Sequence, residues 1–153
     1  MSKEVCSINE DNRQYPSRPF IGVGALIFQD GKILLVERGK EPLKGYWSIP
    51  GGVLETGETL ATGIRREVLE ETGLEVEVLS LFEIFERIMP DSEGRTEYHY
   101  VLIDYVCRPV GGRLEPATDV SGAAWASERD LPSYRLTEGT LGVIERAFAK
   151  FQR

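Results

Sequence analysis

The sequence predicts a mixed α/β (α+β) fold, and three features carry that prediction. Residues 20–28 and 96–107 are apolar on both alternating sets of positions, as strands covered on both faces are. Residues 59–72 repeat apolar side chains at helical spacing, and residues 137–151 are amphipathic at the same period. Strands and the two main helices interleave without a βαβ rhythm, so physics alone reads α+β or α/β.

In chain order, residues 1–18 are polar and unperiodic and read as a loose N-terminal arm, closed by Pro16 and Pro19. Residues 19–153 read as a single domain. A chain of 153 residues, 41% of them hydrophobic, supplies one core and hardly two. The run FIGVGALIF, then Asp30-Gly31, then KILLVER predicts a hairpin with a primed turn. Gly22 and Gly24 mark a close approach of another backbone. Residues 39–52 are loop-rich, and Pro50-Gly51-Gly52 reads as a turn that brings backbone carbonyls near a ligand or ion. Trp47 reads as a core or wall aromatic.

Leu60, Ala61, Ile64 and Val68 set the helix of 59–72, and Gly73 stands where a left-handed cap belongs. Residues 75–88 read as one or two strands, with Val76/Val78 and Phe82/Ile84 alternating. A turn over 89–95 holds Pro90, Asp91 and Gly94, and a strand follows over 96–107. His99, the only histidine, reads as a packed strand residue, which leaves no histidine-based metal centre. Gly111-Gly112 punctuates the next link. Ala123 to Trp125 makes a short strand, and Glu128 to Pro132 a short helical turn. The last helix, 137–151, turns Leu141, Ile144, Phe148 and Phe151 to the core.

Composition narrows the function. A net charge of −7 argues against generic binding to nucleic acid. It allows a small phosphorylated substrate if divalent cations invert the local charge. No apolar run reaches the length of a membrane span, and the N-terminus lacks the apolar core of an export signal. The two cysteines, Cys6 and Cys107, have no metal-like spacing and fit a reducing cytoplasm.

The informative anomaly lies on the first helix. At about 100° per residue, Glu67, Glu70 and Glu71 share one arc, and Glu71 falls inside the apolar arc between Leu60 and Ile64. Like charges three and four apart repel, and acids near a helix C-terminus oppose its dipole. A solvated acidic face partly neutralised by Arg65 and Arg66 is one reading. A seat for Mg²⁺ or Mn²⁺, which prefer clustered hard oxygens, is the other.

The whole stretch from Gly52 to Leu74 decides between them. Gly52, Glu58, Arg66, Glu67, Val68, Glu70, Glu71, Gly73 and Leu74 fill every defined position of G-x5-E-x7-R-E-U-x-E-E-x-G-U, with U a bulky aliphatic. That stretch resembles the signature of the Nudix hydrolases. The resemblance implies an α/β/α sandwich with a curved mixed sheet and a loop–helix–loop catalytic motif. It also implies Mg²⁺- or Mn²⁺-dependent hydrolysis of a nucleoside diphosphate linked to another moiety. Carried over by position, Glu67, Glu70, Glu71 and the Gly51 carbonyl would hold the metal. Arg66 would orient the carboxylates, Glu58 would bridge to it, and Glu70 or Glu71 would take the water's proton. Asp119, six residues before Trp125, and Glu97 are further candidate acids.

Residues 34–59 also resemble an ADP-ribose pyrophosphatase-like subgroup, which implies ADP-ribose as substrate. Arg38 and Lys44 would then meet its phosphates, and Tyr46, Phe85, Tyr98 or Tyr100 would stack on the base. Two alternatives keep the fold: hydrolysis of nucleoside triphosphates, oxidised ones included, and a non-catalytic nucleotide-binding regulator. A homodimer is expected by analogy with the same subgroup.

Overall fold

A computed structural model describes residues 13–41, 43–117 and 120–151. Seven strands form one curved, mixed sheet: β1 (Phe20–Gln29), β2 (Lys32–Arg38), β3 (Trp47–Ser48), β4 (Gly51–Val53), β5 (Leu74–Pro90), β6 (Thr96–Gly112) and β7 (Val120–Ser127). Helix α1 (Leu60–Thr72) packs on one face and α2 (Thr140–Phe151) on the other. The order is β3-β2-β1-β6-β5, with β4 added to β1 and β7 to β2; only β1 and β6 run parallel. Four register shifts interrupt the β5–β6 ladder, and such bulges bend a sheet.

The double-faced apolar pattern of β1 and β2 has a direct cause. Leu26, Ile33 and Leu35 pack on the α2 side with Val143, Ile144, Ala147 and Phe148. Val23, Ala25, Ile27 and Leu34 pack on the α1 side with Ile64 and Val68. Each strand is therefore buried on both faces, as expected of a central pair.

The expected primed turn forms, with Asp30 at φ 52° and Gly31 at φ 74°. The hairpin is short, however. Only Phe28↔Ile33 and Gln29↔Lys32 pair before β1 and β2 part. Beyond that point β1 takes β4 and β6 as partners, while β2 takes β3 and β7. A cleft opens in the fork between them.

Three local readings need correction. Pro50-Gly51-Gly52 is not a turn; Gly51 and Gly52 form β4 and pair with Gly24 and Val23. Their lack of a side chain serves close approach, since a Cβ on Gly51 would overlap the Val23 carbonyl. At Gly22 and Gly24 the close neighbours are side chains, Leu102 and Asp104, rather than backbone. On α2 the buried stripe is Thr140, Val143, Ile144, Ala147 and Phe148. Leu141 is 40% and Phe151 36% exposed, because the helix meets the sheet through the side that carries Val143 and Ala147.

Candidate active site

The loop and helix from Gly52 to Gly73 build one wall of the cleft. Thr59 caps α1 by accepting a hydrogen bond from the Thr62 N–H at 3.2 Å. Gly73 closes it in the left-handed conformation at φ 76° and donates to the Leu69 carbonyl. Ile64 and Val68 anchor the helix in the core, and this fixes the azimuth of its acidic face.

Arg66 is the hub of that face. Its Nε and Nη2 donate to the two Glu58 oxygens at 2.6 and 2.8 Å, a bidentate pair. Its Nη1 donates to Glu67 at 2.9 Å and to Glu70 at 3.2 Å. Arg66 also reaches the Val53 carbonyl at 3.3 Å, which ties the loop to β4. The Arg66 guanidinium, with the Glu55 N–H, holds the Glu58 carboxyl down to about 2. Glu58 is thus an ionised clamp. Burial pushes the Glu67 carboxyl up, with Glu70 adding to the rise against Arg66. A Cβ on Gly52 would overlap the Glu67 carboxylate, so that glycine is what admits it. Glu71 accepts the Gly51 N–H at 3.2 Å.

Glu58, Glu67 and Glu70 share one guanidinium, and Glu71 adds a further negative charge facing the same cleft. Hard oxygens at i, i+3 and i+4 suit Mg²⁺ or Mn²⁺ chemically. Among the described residues no three acids converge tightly enough to enclose an ion. The reason is visible in the contacts: Arg66 holds Glu67 and Glu70, while a backbone N–H holds Glu71.

The cleft has a volume of about 700 Å³ and runs from these carboxylates across Gly22 and Gly24 to the β5–β6 ladder. Phe85, Tyr98, Tyr100 and Leu102 line its far side, with the half-buried Arg87. Burial lowers the Arg87 pKa, and the side chain donates to the Glu138 carbonyl. Arg38, expected at the phosphates, lines the cleft; Lys44 is exposed and lies outside it. Tyr46, a stacking candidate, is instead covered by Arg135, whose charge lies 4.1 Å from the ring centre. Glu97 is not brought to the cleft and accepts a hydrogen bond from Gln14 at 2.8 Å. Asp119 lies outside the described residues. His99 alternates away from Tyr98 and Tyr100 and does not line the cleft, in keeping with a strand residue.

The sequence reading missed Asp104. It sits on β6 opposite Gly24, is only 4% exposed and lines the cleft. Burial, reinforced by Glu83, raises its carboxyl to about 7. A signal was present: it is the one charged residue inside the apolar run VLIDYV.

A NUDIX domain family model matches residues 18–147, and the chain belongs to that family. It is 36% identical over 114 residues to an ADP-ribose pyrophosphatase of Methanocaldococcus jannaschii, covering 74% of this chain and 65% of that protein. It is 28% identical to the human 8-oxo-dGDP phosphatase NUDT18, covering 84% of this chain and 38% of that protein. The chain thus spans under two thirds of the length of both relatives. A NUDIX hydrolase structure from Nitrosomonas europaea superposes with a TM-score of 0.74 at 28% identity, covering 86% of this chain and 90% of that one. No helix among the described residues is long and apolar enough to cross a membrane.

Proposed function

We propose that the protein is a divalent-metal-dependent pyrophosphohydrolase that cleaves ADP-ribose to AMP and ribose 5-phosphate. The observation that carries this reading is the wall formed by Arg66, Glu67, Glu70 and Glu71, with Arg66 clamped by Glu58, facing a cleft whose far side is aromatic and cationic. Family membership and the M. jannaschii relative support it.

In this reading a water oxygen bonds to one phosphorus of the pyrophosphate. The bridging P–O bond breaks, and the leaving phosphate keeps the electron pair. Glu70 or Glu71 accepts the water's proton. Arg66, fixed by Glu58, sets the positions of Glu67 and Glu70. Glu67, Glu70, Glu71 and the Gly51 carbonyl would hold Mg²⁺ or Mn²⁺. The ion supplies charge neutralisation on the phosphate oxygens and a lowered pKa for bound water. Arg38 meets the phosphates, and Phe85, Tyr98 or Tyr100 stacks on the base. Asp119 stays in the proposal as an additional acid.

A second reading, hydrolysis of oxidised guanine nucleotides, is favoured by the human relative's name. A non-catalytic regulator is disfavoured, since none of the signature acids is missing. The proposal includes a homodimer, supported by exposed Ile84 and Ile88 on the edge strand β5. A cytoplasmic location rests on cysteine usage alone.

Product analysis with Mg²⁺ across ADP-sugars, dinucleotides and oxidised and ordinary nucleotides tests the substrate. AMP and ribose 5-phosphate from ADP-ribose are expected, and a more than tenfold preference for a di- or triphosphate would reject the first reading. Glu71→Gln should remove most turnover and leave the fold intact. A near-normal rate would displace Glu71 from the machinery.

A further inference from the structure

We infer that Arg13 is a binding residue for the substrate's pyrophosphate, carried into the cleft by an N-terminal strap that is latched to the tip of the β5–β6 hairpin. The inference rests on the proposed pyrophosphatase reading but not on the identity of the base.

The strap is held at several points. The Tyr15 N–H donates to the Glu97 carbonyl at 2.7 Å, and Gln14 donates to the Glu97 carboxylate at 2.8 Å. The Tyr15 hydroxyl donates to Asp91 at 2.8 Å, and the Arg95 guanidinium lies 5.2 Å from the Tyr15 ring centre. Asp91 is itself fixed by the N–H groups of Glu93 and Arg95, each at 2.9 Å. Tyr15 adopts φ 50°, a left-handed conformation that costs a non-glycine residue on the order of 1 kcal/mol. The latch holds it there.

Two residues before Tyr15, Arg13 is half-buried and lines the cleft with Glu67, Glu70 and Glu71. Its charge is felt at Glu67. Yet among the described residues it forms no ion pair or hydrogen bond. Of the other cations that line the cleft, which include Arg38 and Lys40, Arg66 is committed to carboxylates and Arg87 to the Glu138 carbonyl. A guanidinium with its fork of donors unused, beside acids that a metal would neutralise, matches a phosphate geometrically.

The test compares Arg13→Ala, Arg13→Lys and Tyr15→Phe, with Arg18→Ala as control. Arg18 is an exposed arginine of the same segment that does not line the cleft. The readouts are kcat and KM on the best substrate of the panel, and the calorimetric Kd of its α,β-methylene analogue, which needs no turnover. Mn²⁺ affinity without nucleotide is measured alongside. Arg13→Ala should raise KM and Kd about tenfold with kcat changed less than threefold. Arg13→Lys should fall between, Tyr15→Phe should shift the same way by about two- to threefold, and Mn²⁺ affinity should hold. An unchanged Kd overturns the inference. So does a change confined to Mn²⁺ affinity, which would make Arg13 a counter-ion of the acids, or an equal effect of Arg18→Ala. A wild type that rejects ADP-ribose but shows the Arg13 effect on another substrate would fault the substrate reading and keep this one.

Discussion

A carboxyl group drawn away from water must find a cation or keep its proton, and Asp104 on β6 and Glu58 in the loop before α1 take opposite courses. Glu58 is gripped by Arg66 and stays ionised far into acid. Asp104 is buried beside Gly24, and its carboxyl rises from an ordinary 3.8 to about 7. The folded state therefore holds a proton that the unfolded chain has released between pH 4 and 7. Stability must fall as pH rises through that window, and the penalty is fully present above it. Asp104→Asn removes the charge. Urea denaturation should show it to be more stable than the wild type at pH 8, by up to roughly 4 kcal/mol, with the gain fading towards pH 4. Equal stabilities at pH 8 would mean that Asp104 is well solvated. Cys107, also buried, has its thiol pushed up to about 12 and is inert as a nucleophile.

At the scale of elements, the loop before α1 distinguishes two uses of glycine. Gly52 sits against the Glu67 carboxylate and has no room for a methyl group. Gly57 has open space around it but adopts φ 88°. Gly52→Ala should displace Glu67 and lower turnover on the order of tenfold or more, because misplacement of about 1 Å suffices for that. Gly57→Ala should cost about 1 kcal/mol in thermal unfolding and leave turnover nearly unchanged. If both variants lose activity alike, loop conformation rather than the seat of Glu67 controls the rate. The α1 boundaries to within a residue, its Gly73 cap and its acidic arc were legible locally, since each depends on residues within one or two turns. Of the expected α2 stripe, Ile144 and Phe148 are buried, while tertiary packing rather than sequence spacing chose Val143 and Ala147 over Leu141 and Phe151.

For the whole molecule, acids gathered on one wall of a chain carrying net charge −7 make a cation a stabilising ligand. Mn²⁺ at about a hundred times its Kd should add roughly 2.7 kcal/mol and raise Tm by roughly 5–10 °C. Glu71→Gln should blunt that shift, and an absent shift in the wild type would count against a metal held by these residues. The sequence by itself determined the hairpin of β1 and β2, the capped helix and the row Glu58, Arg66, Glu67, Glu70 and Glu71, because those signals are local in period and spacing. Only the tertiary structure decided that β1 and β2 part after two residue pairs to open the cleft. It also brought Asp104 from β6 and Arg13 from an unperiodic N-terminal segment to that cleft, and drew Glu97 away into the latch. Strand pairing between segments some eighty residues apart sets those placements, and no local pattern encodes which partner a strand edge will take.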